Sequence, residues 1–290
     1  MVSVVVQGED IYGVAAMTTT LVEHARRLHG TSPTVAAALG RLLTGAALMG
    51  AWLKEPTHRV ALQVNGRGPV HRLVAESDGA GRVRGYADVP TADMPSRHGK
   101  LNVGGVVGQG LLHVVKEVGG ELPTTGAVPL VSGEIAEDLA AYFVHSEQIP
   151  SAVSLGVFVR PDHVVTAAGG FLIQFHATVA EDVVDHIEQS LAQMPAVTTM
   201  VQEGYDPQEM LQHAFGGLPL EVVRQTTPVW FCQCSRARAV RALIAMGEQE
   251  LHQLIAQREG SQVCCEYCNT EYRFRHQDLE ALLAEIMHNA

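Results

Sequence analysis

A chain of 290 residues, 47% hydrophobic but only 5% aromatic, has room for two domains, or for one large domain with an appendage, and for a substantial core. Its 31 acidic against 20 basic residues leave a formal charge of −11, which disfavours partners bound by phosphate neutralisation, nucleic acid above all. Five cysteines, with no secretory leader expected at the start, point to metal or redox chemistry in a reducing cytosol rather than to a disulfide frame.

Residues 1–177 read as one α+β body of antiparallel strands and helices. Met1 to Val6 is a strand-like apolar run, and a helical pattern follows from Thr20 to His29, closed by Gly30. Ser32-Pro33 supplies an N-cap and a proline at the first helical position. The helix it opens carries Val35, Leu39, Leu42, Leu43, Ala46 and Ala47 on one broad face, with alanines and glycines that let another backbone come close. Val35 to Leu53 raises a membrane question. Arg41 near its centre and its alanine- and glycine-rich make-up predict a buried core helix instead, with no membrane partner.

From Arg59 the hydrophobic period becomes two, predicting strands at Val60 to Val64, Val70 to Ala75 and Arg82 to Tyr86. Turn signals at Asn65-Gly66 and Ser77-Asp78-Gly79 separate them, so antiparallel pairing is expected. Strands at Gly110 to Val118 and Ser154 to Arg160 flank a helix from Gly133 to His145, and a last strand runs from Phe171 to His176.

Residues 178–227 read as an acidic helical linker. Thr178-Val-Ala-Glu181 has the form of a capping box, and Val183, Val184, Ile187 and Leu191 form an amphipathic stripe. Asp206-Pro207-Gln-Glu209 opens a second helix that stops at Gly216-Gly217. Eight acidic residues and one basic residue, Arg224, leave a net of −7 over this segment. Such self-repulsion fits a weakly stable, docked element, and an ordinary acidic connector has the same composition.

Residues 228–290 hold every cysteine, as Cys232-Gln-Cys234, 29 intervening residues, then Cys264-Cys265-Glu-Tyr-Cys268. A helix is expected from Arg236 to Met246, strands at Ser261 to Val263 and Tyr272 to Phe274, and a final helix from Asp278 to Met287. Two close thiol pairs suit a tetrahedral thiolate site with zinc about 2.3 Å from each sulfur. The expected ligands are Cys232, Cys234, Cys265 and Cys268, on one zinc per chain. Cys264 is read as a spare thiol, although it is an alternative to Cys265 through a less common C-x3-C knuckle. About 60 residues make a small core, so bound metal would add folding energy directly. Spacing alone leaves two uses of that metal open. One is a plain structural zinc. The other is a redox switch in which the one-residue spacing of Cys232 and Cys234 favours a disulfide and the metal leaves.

Little else demands chemistry. The 14 histidines are dispersed and show no metal-ligand spacing. Gly104-Gly105-Val-Val-Gly108-Gln-Gly110 resembles a phosphate loop but leads into a predicted strand, so a phosphate site is not expected there. His145-Ser146-Glu147-Gln148 reads as a polar helix end, and no catalytic residue is assigned.

Several stretches together resemble the heat-shock protein 33 family of redox-regulated bacterial holdase chaperones. They are Ser32-Pro33 with Ala38 to Leu43, Leu48-Met-Gly50, Arg84-Gly-Tyr86, Tyr142-Phe143, Ser146-Glu-Gln148, Ala168-Gly-Gly170 with Gln174, Cys232-Gln-Cys234-Ser235, Cys265-Glu-Tyr-Cys268 and Tyr272-Arg-Phe274. The resemblance implies an α+β chaperone domain, a metastable linker and a zinc-binding redox-switch domain in a cytoplasmic bacterial protein. It further implies that the reduced, zinc-bound form is inactive. Oxidation would pair Cys232 with Cys234 and Cys265 with Cys268, release zinc and unfold the linker. The active form, a homodimer, would then bind unfolding client proteins without ATP and without being an enzyme. Cys264 departs from the family pattern.

Two other functions are weighed against this. A zinc-ribbon binding module with structural zinc meets unfavourable charge, since residues 228–290 carry six basic and eight acidic side chains. A thiol oxidoreductase needs a C-x-x-C at a helix start in a thioredoxin-like pattern, which this sequence lacks.

Overall fold

The computed structural model describes residues 1–290 apart from Glu121, Ala177, Thr178, Arg258, Glu259 and Ala290, with backbone alone for 285–289. The chain divides into two compact units, Met1–Phe231 and Cys232–Ala290.

The first unit begins β1 (Val2–Val6), β2 (Ile11–Met17), α1 (Thr19–His29), α2 (Pro33–Gly50), β3 (Arg59–Gly66), β4 (Arg72–Asp78) and β5 (Arg82–Ala87). It continues α3 (Val103–Val107), β6 (Gly110–Glu117), β7 (Thr124–Pro129), α4 (Ala136–Tyr142), a one-turn π-helical segment (Phe143–Glu147), β8 (Ser151–Val159) and β9 (Val165–Phe175). Last come α5 (Glu181–Gln193), α6 (Val197–Glu203), α7 (Pro207–Ala214), β10 (Leu220–Gln225) and β11 (Val229–Trp230).

α2 is the centre of this unit. Ser32 caps it as expected, its Oγ accepting the Val35 N–H at 3.1 Å. Every residue except Pro33 and Arg41 is buried. By length and composition α2 would pass for a membrane span. Its apolar surface is instead taken up by strands of two sheets, β4 and β5 on one side and β8 and β9 on the other. A helix apolar all round is buried, and here protein covers it. The small residues permit the approach: a Cβ on Gly40 would stand 2.5 Å from Val22 Cγ1 and 2.9 Å from Val157 Cγ2.

One sheet is antiparallel throughout, in the order β10-β1-β2-β9-β8. The other has the order β11-β5-β4-β3-β6-β7, antiparallel except for the parallel pair β11 and β5. The expected meander over β3, β4 and β5 is present. Asn65-Gly66, however, is no hairpin tip, because both residues pair inside β3 and the connection runs through 67–71. The helix expected from Gly133 starts at Ala136. Buried Asp138 accepts the N–H groups of Val131, Ser132, Gly133 and Ile135 and holds that stretch as a non-helical loop.

The five-stranded sheet is buried on both faces. Val14, Ala16, Ala168 and Leu172 join the core around α2. Val4, Ile11, Ala15, Phe171 and Ile173 form a second core with Ile187 of α5, Met200 of α6, and Met210, Leu211 and Phe215 in and after α7. Residues 178–227 thus contain three helices over a sheet face and a strand, β10, that extends the same sheet beside β1. Gly13 of β2 makes room for the cover, since a Cβ there would stand 2.7 Å from the Phe215 ring. Arg224, the cation of this segment, donates to the backbone carbonyls of Ala51, Leu53 and Gly79. The predicted capping residue Thr178 lies outside the described residues; Ala180 precedes α5 with no side-chain cap bond.

The second unit comprises α8 (Arg236–Met246), α9 (Glu248–Ala256), the hairpin β12 (Ser261–Cys264) and β13 (Glu271–Phe274), and α10 (His276–Asn289). Among the described residues its core is small: Ala239, Leu243, Leu251, Phe274, Leu279, Leu282 and Leu283.

Candidate metal centre

Two local structures set the four sulfurs of this centre. Cys232 and Cys234 lie in the extended stretch before α8, whose N-cap Ser235 accepts the Arg238 N–H at 3.3 Å. Cys265 and Cys268 lie on the turn between β12 and β13. There Cys268 N–H and Asn269 N–H both donate to the Cys265 carbonyl, at 3.2 and 2.8 Å, and Cys265 N–H donates to the Thr270 carbonyl at 3.0 Å. Asn269 takes φ of 54°, a left-handed conformation that asparagine tolerates better than most residues.

This folding brings the sulfurs of Cys232, Cys234, Cys265 and Cys268 within 4.8 Å of one another. Cys232 Sγ is 3.7 Å from Cys265 Sγ, and Cys234 Sγ is 3.2 Å from Cys268 Sγ. A tetrahedron with metal–sulfur bonds of about 2.3 Å has sulfur–sulfur edges of about 3.8 Å, so the four thiols fit one such ion with little adjustment. Cys264, the last residue of β12, pairs with Glu271 across the hairpin, is exposed, and is not one of the four.

Electrostatics also favour a cation among these sulfurs. Burial pushes the Cys232 thiol upward and the Cys265 thiol up to about 12. At Cys268 burial acts in the same direction. It is outweighed by hydrogen bonds from the Thr270 hydroxyl and backbone and from Cys234 and Cys232, which bring this thiol down to about 7. Four crowded thiolates need a compensating positive charge. Two outer contacts had no signature in the sequence. Tyr272 Oη donates to Cys234 Sγ at 3.1 Å, and Thr270 Oγ1 is 3.1 Å from Cys268 Sγ. Contacts of this kind orient metal ligands, but only the folded hairpin reveals them. The bond to Cys234 raises Tyr272 to about 12.

Three of the residues set aside in the sequence have structural partners. Glu147, in the π-helical segment, pairs with Lys116. Gly104 and Gly105 lie in the short helix α3 rather than in a loop, with their N–H groups bonded to Glu134 and Asn102.

A family model described as Hsp33 protein matches residues 1–275. The chain belongs to the Hsp33 family. A 33 kDa chaperonin of Geobacter sulfurreducens is 43% identical over 283 residues, covering 97% of this chain and 94% of that one. A second, of Symbiobacterium thermophilum, is 41% identical over 94% of this chain and 92% of its own. The crystal structure of the 33 kDa chaperonin of Thermotoga maritima superposes with a TM-score of 0.89 at 37% identity, covering 99% of this chain and 98% of that one. The α+β fold and the clustered cysteines of this Hsp33-family chain agree with the expectations drawn from its sequence.

Proposed function

We propose that this chain is an ATP-independent holdase chaperone of the bacterial cytoplasm, inactive when reduced and zinc-bound and switched on by oxidation. In this reading it has three working parts: a chaperone core (1–177), a linker (178–227) and a redox switch (228–290). The observation that carries it is the cover on the five-stranded sheet. The most acidic segment of the chain, with a net of −7, lies over an apolar face that includes Val4, Ile11, Phe171 and Ile173, and the cysteine unit follows it directly in sequence.

Zinc, when bound, supplies folding free energy to a unit whose own core is small. Cys232, Cys234, Cys265 and Cys268 would hold it, with Tyr272 and Thr270 orienting two of the sulfurs. On oxidation a cysteine thiolate attacks peroxide, forming a sulfenic acid while the other peroxide oxygen leaves and becomes water on protonation. The thiolate of the paired cysteine then displaces the sulfenic oxygen, giving a disulfide and a second water. Each pair, Cys232 with Cys234 and Cys265 with Cys268, loses two electrons and one peroxide is reduced per disulfide. Disulfide sulfur carries no charge to hold a cation, so the small unit loses its main source of stability. The linker then leaves the sheet, and the uncovered apolar face binds unfolding clients, with the active form a homodimer.

Peroxide titration of the reduced, zinc-loaded protein tests this sequence. The reading expects zinc to be released as thiols are lost, disulfides to map to the two stated pairs, and protease sensitivity to rise within 178–227. Loss of thiols with zinc retained and 178–227 still protected would leave a binding module with structural zinc.

A further inference from the structure

The first unit contains a polar concavity that the chaperone reading does not use. It has a volume of about 770 Å³, and Arg41, Arg97, His98, Lys100, Asn102 and Glu134 contribute to its lining. Arg41 is the charged residue of α2, a helix otherwise given over to the core. Its Nη1 donates to the Glu134 carboxylate and, at 3.2 Å, to the Glu134 carbonyl, while its Nε is buried with no partner. Glu134 is not reserved for Arg41, because Oε1 also accepts the Gly104 N–H at 2.9 Å. A cation projecting from a buried helix onto one shared, partly exposed carboxylate is under-compensated.

The turn Arg97-His98-Gly99-Lys100 brings two more cations to the same concavity. It is closed by reciprocal backbone bonds between Arg97 and Lys100, at 2.9 and 3.0 Å, with φ of 52° at His98 and 72° at Gly99. Neither the Arg97 nor the Lys100 side chain makes a hydrogen bond or ion pair among the described residues. Three permanent positive charges therefore line the concavity with one carboxylate, on a chain whose net charge is −11. The backbone amides are not the attraction, since those of Gly104 and Gly105 are already bonded and α3 is only five residues long. Asn102 accepts the Gly105 N–H through Oδ1 and keeps its amide NH2 for another partner.

We propose that this concavity is a binding site for a tetrahedral oxyanion of the phosphate class, held by Arg41, Arg97 and Lys100 with Asn102 as a neutral donor. Guanidinium forks match such oxygens two at a time, and a lysine adds a mobile point charge. No Phe, Tyr or Trp is among the lining residues, and the cations that line the concavity suit the anion itself. Glu134 keeps Arg41 oriented when no anion is bound. The site owes nothing to the cysteines and would operate in either redox state.

The test is calorimetric titration of the full-length reduced protein with inorganic phosphate and, separately, tripolyphosphate, at constant ionic strength set with chloride. One saturable site per chain is expected. In the variant Arg97→Ala/Lys100→Ala, which removes two exposed side chains with no packing role, Kd rises about tenfold or more while zinc content and Tm without phosphate stay unchanged. Arg41→Lys, which keeps the charge but removes the fork, also weakens binding. Tighter binding of tripolyphosphate than of phosphate assigns the site to a chain of phosphates; equal binding assigns it to a single group. Absence of a saturable site for either anion, or an unchanged Kd in the double variant, would overturn the proposal. So would binding of an acidic peptide without binding of phosphate, which would make the concavity a peptide surface.

Discussion

At the scale of single residues, three side chains carry separable consequences. Asp138 is fully buried and accepts four backbone N–H groups in the loop before α4. Asp138→Ala strands those donors and is expected to cost roughly 3 kcal/mol or more, lowering Tm by about 6 °C or more, with zinc content unchanged. Glu23 ties α1 to β9. It accepts hydrogen bonds from Arg26, Arg27 and the Val165 N–H, and the Arg26 bond leads in bringing its carboxyl from 4.5 to about 2. Its folded pKa is depressed, so the charged form stabilises the fold at neutral pH, and that contribution is lost as pH falls from 4.5 towards 2. Thermal unfolding followed over that range should fall less steeply for Glu23→Gln than for the parent protein. At the cysteines, Cys264→Ser should leave one zinc per chain, whereas Cys265→Ser should lose it, as metal analysis of the purified variants will show. The sequence reading takes Cys265 as the ligand and Cys264 as a spare thiol, with Cys264 as an alternative. The hairpin decides the geometry by pairing Cys264 with Glu271 and placing Cys265 on the turn with Cys268.

At the scale of elements, α5, α6 and α7 share a buried apolar core with the five-stranded sheet, and the proposed function turns on that contact. Phe215 seats against Gly13, and Arg224 anchors β10 through three backbone carbonyls. Gly13→Val puts a branched side chain where the ring lies. It is expected to loosen α7 by about 1–3 kcal/mol and to raise binding of a hydrophobic dye by the reduced, zinc-loaded protein. Arg224→Ala should shift the same readout in the same direction. No change in dye binding for either variant would mean that these contacts do not hold the cover. The elements legible in the sequence are those with local signals. Ser32-Pro33 opens α2, and Asp206-Pro207 with Glu209 opens α7 through a complete capping box. β2 was not legible, because both its faces are buried and Ile11 to Met17 therefore shows no alternation. β10 was hidden in a segment read as helical, and it becomes a strand by pairing with β1 more than 200 residues away. The same reasoning covers β7, α6 and α9, short elements fixed by their neighbours rather than by their own caps.

At the scale of the whole molecule, the cysteine centre was the most legible feature, since its spacing is local chemistry and its four sulfurs do converge. The cover was not legible, because it sets α5, α6 and α7 over strands β1 and β2 from the start of the chain, a pairing that periodicity cannot encode. The central claim is that oxidation releases the cover. The measurement that tests it most directly is suppression of aggregation of a thermally unfolding client, comparing reduced zinc-loaded protein with peroxide-treated protein while released zinc is recorded. The account predicts suppression only after oxidation, rising in step with zinc release. Equal suppression by both forms, or none by the zinc-free oxidised form, would contradict it.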